Sequence, residues 1–248
     1  IDGIKQASEI GYKGIELHIK DPKKIDIKSI FKEIERNKVT LMTIGTGLAY
    51  VDENIYFTSD DKTVRDAAIK RVCDHLDVFS ELKPIIILGT IKGKICAAQN
   101  KELGHQRMLD CTKYCCDYAE KKKMHICVEA INRYEQDSMN TLDEVVDFIE
   151  KIGSKALLLH IDTFHMNIEE SSTLNSMHAH MKYIGHVHVA DNNRLPPGGG
   201  MINFRGILKA LEINDYKGAI SIECLPKPDG LTAARNAYSY LSSVINYL

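Results

Sequence analysis

Strand-like and helix-like segments alternate along this chain from Gly14 to its C-terminal end. Seven short, mostly apolar segments are each followed by a segment with helical periodicity. This order is typical of parallel strands joined by helical crossovers. An open doubly wound sheet and a closed (β/α)8 barrel both satisfy the alternation. The chain is therefore predicted to have an α/β fold built on one parallel sheet.

Four of the predicted strands carry a polar residue near the same end. These residues are Glu129, Asp162, His188 and Glu223, and each is separated from the next by about one strand–helix unit. In a closed barrel the carboxyl ends of all strands meet at one rim, where active sites form. An open sheet instead collects ligands at a single switch point. The pattern therefore favours the (β/α)8 TIM barrel.

The N-terminal segment predicts an incomplete barrel. Residues Ile4–Ile10 have helical periodicity and end at Gly11, which can adopt the left-handed conformation that closes helices. No strand-like segment precedes this helix, so we expect a barrel that lacks its first strand in the numbered chain, and a sequence that begins within a longer chain. No linker or low-complexity tract divides the sequence, so residues 1–248 are interpreted as a single domain.

Charge and cysteine content narrow the class of protein. The 248 residues have a formal net charge of −2, which predicts no nucleic-acid partner and no anionic membrane surface. No run of 18 apolar residues and no signal-like N-terminus is present, so we expect a cytoplasmic protein. Seven cysteines are scattered, and Cys111 and Cys115 share a predicted helical face. We interpret them as reduced structural thiols rather than a zinc cluster.

The four strand-end residues together form an oxygen-rich set with one nitrogen. Such a set suits Mn²⁺, Mg²⁺ or Co²⁺ better than structural zinc, which recruits thiolates. Three carboxylates placed close together cannot all remain ionised without a cation. We therefore predict one divalent metal ion bound by Glu129, Asp162, His188 and Glu223.

Three stretches of the sequence are similar to a known family. Val128–Glu135 (VEAINRYE), His160–Glu170 (HIDTFHMNIEE) and His186–Gly198 (HVHVADNNRLPPG) resemble the sugar isomerase/epimerase superfamily, which has a xylose isomerase-like TIM barrel. Within it they look most like the ketose 3-epimerases, the tagatose and allulose 3-epimerase group. The likeness extends from the Gly11–Ile19 segment to about Pro226.

The resemblance implies roles for individual residues. It implies that the four strand-end residues bind one divalent ion, with Mn²⁺ the first expectation and Mg²⁺, Co²⁺ or Zn²⁺ open. It also implies that Glu129 and Glu223 are catalytic acid and base, and that Glu135, His165 and Arg194 contact substrate oxygens. The substrate would be a sugar or a sugar phosphate, and a homo-oligomer is left open.

One motif departs from the family pattern. Ala190-Asp191 stands where the epimerases commonly have Gly-Glu, whereas relatives of unassigned sugar or sugar-phosphate specificity often have Ala-Asp. The family's first strand, which contributes aromatic residues to the pocket, is also missing. Which sugar is bound therefore stays open at this point.

The implied reaction is proton transfer at the carbon beside a ketose carbonyl. A metal ion would stabilise the enediolate, one glutamate would remove the proton from C3, and the other would return one on the opposite face. Alternatives are an aldose–ketose or sugar-phosphate isomerase on the same metal site, an endonuclease-type phosphodiesterase, and a non-catalytic sugar-binding barrel. The net charge and the single metal set argue against the endonuclease.

Two further features have open interpretations. His125, His160 and His186 precede the polar strand ends and are expected to fill the barrel or support the ligands rather than bind metal. The glycine-rich loop Pro196–Gly200 could place backbone amides around a phosphate. A rigid turn that only closes the pocket explains the same residues.

Overall fold

Seven parallel strands form the centre of the protein, which is described here by a computed structural model over residues 2–247. They pair in chain order as one sheet. The strands are β1 (Gly14–His18), β2 (Thr40–Gly45), β3 (Ile85–Leu88), β4 (Ile126–Glu129), β5 (Leu157–Asp162), β6 (Ile184–Val189) and β7 (Ile220–Ile222).

Helices follow the strands and cover the outside of the sheet. The helices are α1 (Asp2–Ile10), α2 (Ile27–Arg36), α3 (Leu48–Glu53), α4 (Lys62–Val78), α5 (Lys101–Lys122), α6 (Leu142–Ile152), α7 (Thr163–Glu169), α8 (Thr173–His180), α9 (Phe204–Ile213) and α10 (Gly230–Asn246). None of the helices within residues 2–247 is long and apolar enough to cross a membrane.

The strand composition explains why the sheet is buried on both faces. In β3 the residues Ile86 and Leu88 are fully buried, and Ile87 on the opposite face is 3% exposed. Each such side chain contributes about 1.5–3 kcal/mol when it is removed from water. A strand that is apolar on both faces is stable only between a packed interior and a layer of helices. The all-apolar pattern therefore places β3 inside a barrel wall.

The barrel is nearly closed, with one seam. β1 and β7 lie close to each other but are not hydrogen-bonded as a strand pair within the described part of the chain. A groove of about 760 Å³ runs along this seam, between the two strands and helices α1 and α10. The seam lies where the sequence predicts the missing first strand. The expected (β/α)8 architecture short of that strand is confirmed.

Helix ends match the sequence signals at some positions and not at others. Gly11 has the expected left-handed backbone after α1 (φ 120°), and Gly153 has a left-handed backbone after α6 (φ 67°). The spacing of Thr141 and Glu144 predicts a capping box, and Thr141 caps α6 by accepting a hydrogen bond from the Glu144 amide at 3.3 Å. Thr63 and Asp66 have the same spacing, which predicts a cap of α4 at Thr63, and this prediction is wrong. Asp61 caps that helix and accepts from the Thr63 amide at 2.7 Å, because the helix begins at Lys62 and Thr63 lies inside its first turn.

Candidate active site

Strand register brings the predicted residues to one end of the barrel. Asp162 on β5 is the direct neighbour of His188 on β6, and Glu129 at the end of β4 pairs with His160 on β5. Glu223 directly follows β7, and its amide donates to the carbonyl of Val189 at 3.3 Å. Parallel strands in this register place their carboxyl ends together. The four residues therefore come from four successive strands and meet at one rim.

The four side chains are close enough to share one ion. One donor atom from each of Glu129, Asp162, His188 and Glu223 lies within 4.8 Å of the other three. Asp162 is fully buried, and Glu129 and His188 are 7% and 2% exposed. Three carboxylate oxygens and one imidazole nitrogen match the preferences of hard or borderline divalent cations. The donor set fits a divalent metal ion.

Arg194 connects two of these carboxylates. Its guanidinium donates from Nη1 to Asp162 Oδ2 at 2.5 Å and from Nη2 to Glu223 Oε2. The guanidinium also lies 4.8 Å from the centre of the Phe164 ring. Forked donation to carboxylates is a property of arginine that lysine does not share. Arg194 is thus fixed beside the candidate metal ligands.

His165 and Glu135 lie on the other side of the same pocket. Asn132 Nδ2 lies 2.7 Å from His165 Nδ1 and 2.9 Å from Glu135 Oε1. Because an amide nitrogen donates, His165 Nδ1 is an acceptor and its proton is on Nε2. That Nε2 lies 3.6 Å from Glu129 Oε1. Asn132 therefore holds both predicted substrate contacts and sets the tautomer of His165.

A cavity of about 230 Å³ connects these side chains. Its lining includes Glu129, Glu135, His165, Arg194 and Glu223, together with residues of β2, β3 and α3. The volume lies below the usual range for drug-sized ligands, about 300–1,000 Å³, so the cavity suits a small molecule. The larger seam groove lies beside β1 and β7 and holds none of the predicted catalytic residues. The smaller cavity is the candidate active site because the polar groups converge there.

The two glutamates have very different electrostatic environments. Burial, with the nearby charge of Glu223, raises the pKa of Glu129 to about 8. Burial alone would also raise the pKa of Glu223, but its hydrogen bond to His188 and the charges of His188 and Arg194 lower it to about 2. Two carboxyl groups whose surroundings separate their pKa values in this way are typical of an acid and base pair.

Comparison with known proteins identifies the family. Residues 4–243 match the family described as xylose isomerase-like TIM barrel. The chain belongs to this family. It is 28% identical to L-ribulose 3-epimerase from Methylomonas sp. (strain DH-1) over 223 residues, which cover 89% of this chain and 76% of the relative. It is also 28% identical to D-psicose 3-epimerase from Agrobacterium fabrum (strain C58) over 234 residues, covering 92% and 80%.

A solved structure of the family has the same architecture. The D-allulose 3-epimerase from Methylomonas sp., crystallised with D-allulose, superposes with a TM-score of 0.82 and 26% identity, covering 97% of this chain and 89% of that one. The family match and these relatives make this chain an enzyme of the isomerase class. The expected membership of the sugar isomerase/epimerase superfamily is confirmed.

Three residues near the site were not predicted from the sequence. Glu16 on β1 lies inside the barrel and contacts His188, with Oε2 2.8 Å from Nε2. Lys92, 1% exposed, donates from Nζ to the backbone carbonyl of Glu129, and burial lowers its pKa to about 8. Asn132 orients His165 as described above. A carboxylate between the apolar residues Ile15 and Leu17 of a strand-like segment is the signal that could have identified Glu16.

The histidines below the site partly match expectation. His160 and His186 are fully buried in the barrel interior, as predicted. His125 is exposed, so its expected place in the barrel interior is wrong; it precedes β4 and lies outside the strand. Donor atoms of His160, His186 and His188 lie within 4.8 Å of one another. His188 Nε2 and His186 Nε2 both face Glu16 Oε2, at 2.8 Å and 3.2 Å, so we assign this three-histidine cluster no metal.

The glycine-rich loop after β6 is organised by Asp191. This fully buried carboxylate accepts hydrogen bonds from the amides of Gly198 at 3.0 Å, Gly200 at 2.8 Å and Ile202 at 3.0 Å. It also accepts from the amide of Asn192 at 3.0 Å. The loop amides that could have contacted a phosphate are therefore directed at a side chain of the protein. The rigid-turn interpretation of Pro196–Gly200 is the one that this geometry favours.

Proposed function

We propose that this protein is a divalent-metal-dependent ketose 3-epimerase. The observation that carries the proposal is the meeting of Glu129 and Glu223 with Asp162 and His188 over one small pocket. Relatives that act on L-ribulose, D-psicose and D-allulose support the substrate class, a free ketose. The proposed reaction inverts the carbon next to the ketose carbonyl.

The metal ligands of this proposal are Glu129, Asp162, His188 and Glu223. When bound, the ion would supply a Lewis acid that polarises the ketose carbonyl and stabilises the negative charge of the enediolate. Mn²⁺ suits the oxygen-rich donor set, and Mg²⁺, Co²⁺ and Zn²⁺ are the alternatives to be compared. The part of the chain that holds the ion is the rim formed by β4 to β7.

The two glutamates are the proposed proton carriers. Inversion at C3 needs one carboxylate to remove the proton from one face of the sugar and another carboxyl to return a proton on the opposite face. Glu129 and Glu223 reach the pocket from β4 and β7, the first and last of the four successive strands. The two glutamates therefore reach the sugar from opposite sides of the pocket, so that each can act on one face of C3.

The remaining polar groups would orient the sugar. His165 presents its Nε2 proton to the pocket, and Arg194 presents a fixed guanidinium. Glu135, whose side chain is half exposed at the mouth, would accept hydrogen bonds from sugar hydroxyls. Correct positioning of the reacting carbon is one of the largest contributions to such a reaction. These three residues are the proposed substrate contacts.

Solvent deuterium distinguishes epimerisation from isomerisation. The purified protein is incubated with Mn²⁺ and D-allulose, L-ribulose or D-tagatose in deuterated water, and the products are analysed by NMR. A two-base epimerase places deuterium at C3 of the product epimer and leaves C1 unlabelled. Label at C1, or an aldose product, would instead show aldose–ketose isomerisation and contradict the proposal.

Matched variants connect this reaction to the two carboxyls. Glu129→Gln and Glu223→Gln should each remove turnover, because each loses an acid or base that C3 inversion requires. Glu35→Gln, on the exposed face of α2, is the matched control and should keep wild-type turnover. Measurable epimerisation in either active-site variant would contradict the assigned role of that residue.

The wider organisation of the protein is also part of the proposal. The continuous sheet from β1 to β7 supports treating residues 1–248 as one domain. The cytoplasmic location, the lack of a nucleic-acid partner and the homo-oligomer stay predictions from the sequence.

A further inference from the structure

Glu16 is a carboxylate inside the barrel that the proposed reaction does not use. It is in the middle of β1, and its side chain is 9% exposed. Its Oε2 accepts from His188 Nε2 at 2.8 Å and from Thr43 Oγ1, and it lies 3.2 Å from His186 Nε2. Its Oε1 lies 2.9 Å from His18 Nε2. An ionised carboxylate inside a barrel is unfavourable unless it has such partners.

The two ring nitrogens of His188 face in different directions. Nε2 is directed into the barrel at Glu16, and Nδ1 is directed at the rim, 3.1 Å from Glu223 Oε2 and 4.0 Å from Asp162 Oδ2. Only Nδ1 can therefore contribute to the candidate metal site. A nitrogen that binds metal carries no proton, so the ring proton must be on Nε2. Glu16 is the group that accepts that proton's hydrogen bond.

We infer that Glu16 is a positioning residue for metal binding: its carboxylate holds His188 with the proton on Nε2 and Nδ1 directed at the ion. Histidine ligands in proteins commonly donate their second nitrogen to a carboxylate, which fixes the ring and makes the ligating nitrogen more basic. Glu16 would act through His188 and would not touch the substrate or the ion. This inference rests on the metal site of the proposed function.

A purely structural role makes a different prediction. If Glu16 only satisfied buried histidines, its replacement would change the free energy of unfolding and leave the metal affinity of the folded protein unchanged. If it positions His188, metal affinity falls while the protein stays folded. Loss of such a supporting carboxylate typically lowers metal affinity 10- to 100-fold. Metal affinity, measured separately from stability, therefore separates the two roles.

The test compares two substitutions of Glu16 with one control. Glu16→Gln keeps the shape and an acceptor oxygen but loses the charge, and Glu16→Ala loses both. The control is Thr43→Val, which removes another hydrogen bond to the same carboxylate oxygen without contacting His188. Apparent Kd values for Mn²⁺ and Co²⁺ are measured on the full chain by competition with a chromophoric chelator, and folding is checked by thermal unfolding.

The expected result is a graded loss of affinity. The Kd should rise about 10-fold in Glu16→Gln and about 100-fold in Glu16→Ala, and Thr43→Val should stay within about threefold of the wild type. Metal affinity within threefold of the wild type in both Glu16 variants would overturn the inference. If the wild-type protein itself binds neither ion, the metal site of the proposed function fails, which is a distinguishable result.

A second measurement follows the histidine directly. Full-length protein with ¹⁵N-labelled histidine is loaded with Zn²⁺, and its ring nitrogens are observed by NMR. The wild type should show His188 with a metal-bound Nδ1 and a slowly exchanging Nε2 proton. In Glu16→Gln that proton should exchange faster because its charged acceptor is lost. An unchanged exchange rate would contradict the inference even if Glu16→Ala fails to fold.

Discussion

Arg194 donates a hydrogen bond to the buried carboxylate of Asp162 from a left-handed backbone position. The residue has φ 60°, and its carbonyl accepts from the Leu225 amide at 2.7 Å. A non-glycine residue with positive φ is uncommon and is maintained by its surroundings. The loop after β6 and the chain after β7 thus hold the guanidinium between Asp162 and Glu223. The backbone fixes the direction of the side chain before any substrate arrives.

The first prediction concerns this guanidinium. Arg194→Lys should lower kcat/KM about 100-fold, because one ammonium group cannot reproduce the fork that spans two carboxylates, and misplacement by about 1 Å can cost that much. Mn²⁺ affinity should not fall, because lysine carries the same single positive charge beside the ligands as arginine does. Steady-state kinetics and chelator competition measure the two effects. Arg36→Lys on exposed α2 is the control, and wild-type kcat/KM in Arg194→Lys would contradict the assignment.

The second prediction concerns removal of single metal ligands. Asp162→Asn and His188→Ala should each lose bound Mn²⁺ and at least about 100-fold in turnover, because each removes one of the four ligands that would hold the ion. Elemental analysis after Mn²⁺ or Co²⁺ reconstitution measures the metal content. Asp147→Asn, on the exposed face of α6, is the matched control and should keep the metal. Full metal content in either ligand variant would show that the ion is held elsewhere.

The sequence predicts the barrel well because strands β3 to β6 are mostly buried on both faces. Continuous apolar segments such as β3 leave few alternatives, and all seven strands were expected in the correct order. Helices α3 (Leu48–Glu53) and α7 (Thr163–Glu169) were not expected. Both are too short to show a clear periodic pattern, and α7 is started by Asp162, which accepts from the Phe164 amide at 2.8 Å.

The candidate site was only partly predictable, for a different physical reason. Residues at strand ends, such as Asp162 and Glu223, can be recognised because their position along each strand is repeated. Glu16 and Lys92 contact their partners across the barrel interior, Glu16 with His188 and Lys92 with the carbonyl of Glu129. Such contacts depend on strand register and side-chain direction, which the order of residues along one strand does not contain.

The third prediction concerns stability as a function of pH. Asp137 accepts hydrogen bonds from the amides of Ile95 at 2.7 Å and Cys96 at 2.8 Å. Partial burial alone would raise its pKa, but these two amides lower it below the usual value. A lowered pKa in the folded state means that the ionised form stabilises the protein, and this stabilisation is lost as the pH falls through the folded-state pKa.

Asp137→Asn should therefore be less stable than the wild type by about 1 kcal/mol at pH 7, a value typical of a net hydrogen-bond contribution at a solvent-exposed position. The difference should shrink as the pH falls below about 4, where the aspartate of the unfolded chain becomes protonated. Urea unfolding at pH 7, 5 and 3.5 measures it. A difference that stays constant across this range would contradict the pKa assignment.

The last prediction concerns phosphorylated substrates. Asp191 occupies the amides of Gly198, Gly200 and Ile202, and it adds a negative charge beside the loop. A sugar phosphate at this loop would meet a carboxylate and no free amides, whereas a free ketose would not be repelled. We expect kcat/KM for a free ketose to exceed that for the same ketose with a terminal phosphate at least about tenfold, which corresponds to about 1.4 kcal/mol.

The comparison uses D-allulose and its 6-phosphate at the same Mn²⁺ concentration, with inorganic phosphate added to the D-allulose assay as a control that should not inhibit. Asp191→Asn tests whether Asp191 holds the loop amides. The asparagine side chain has one acceptor oxygen, whereas the carboxylate has two. Two of the loop amides would then lose their partner, and the free energy of unfolding should fall by about 2 kcal/mol. A higher kcat/KM for the phosphate ester in the wild type would instead show that the loop binds phosphate despite Asp191.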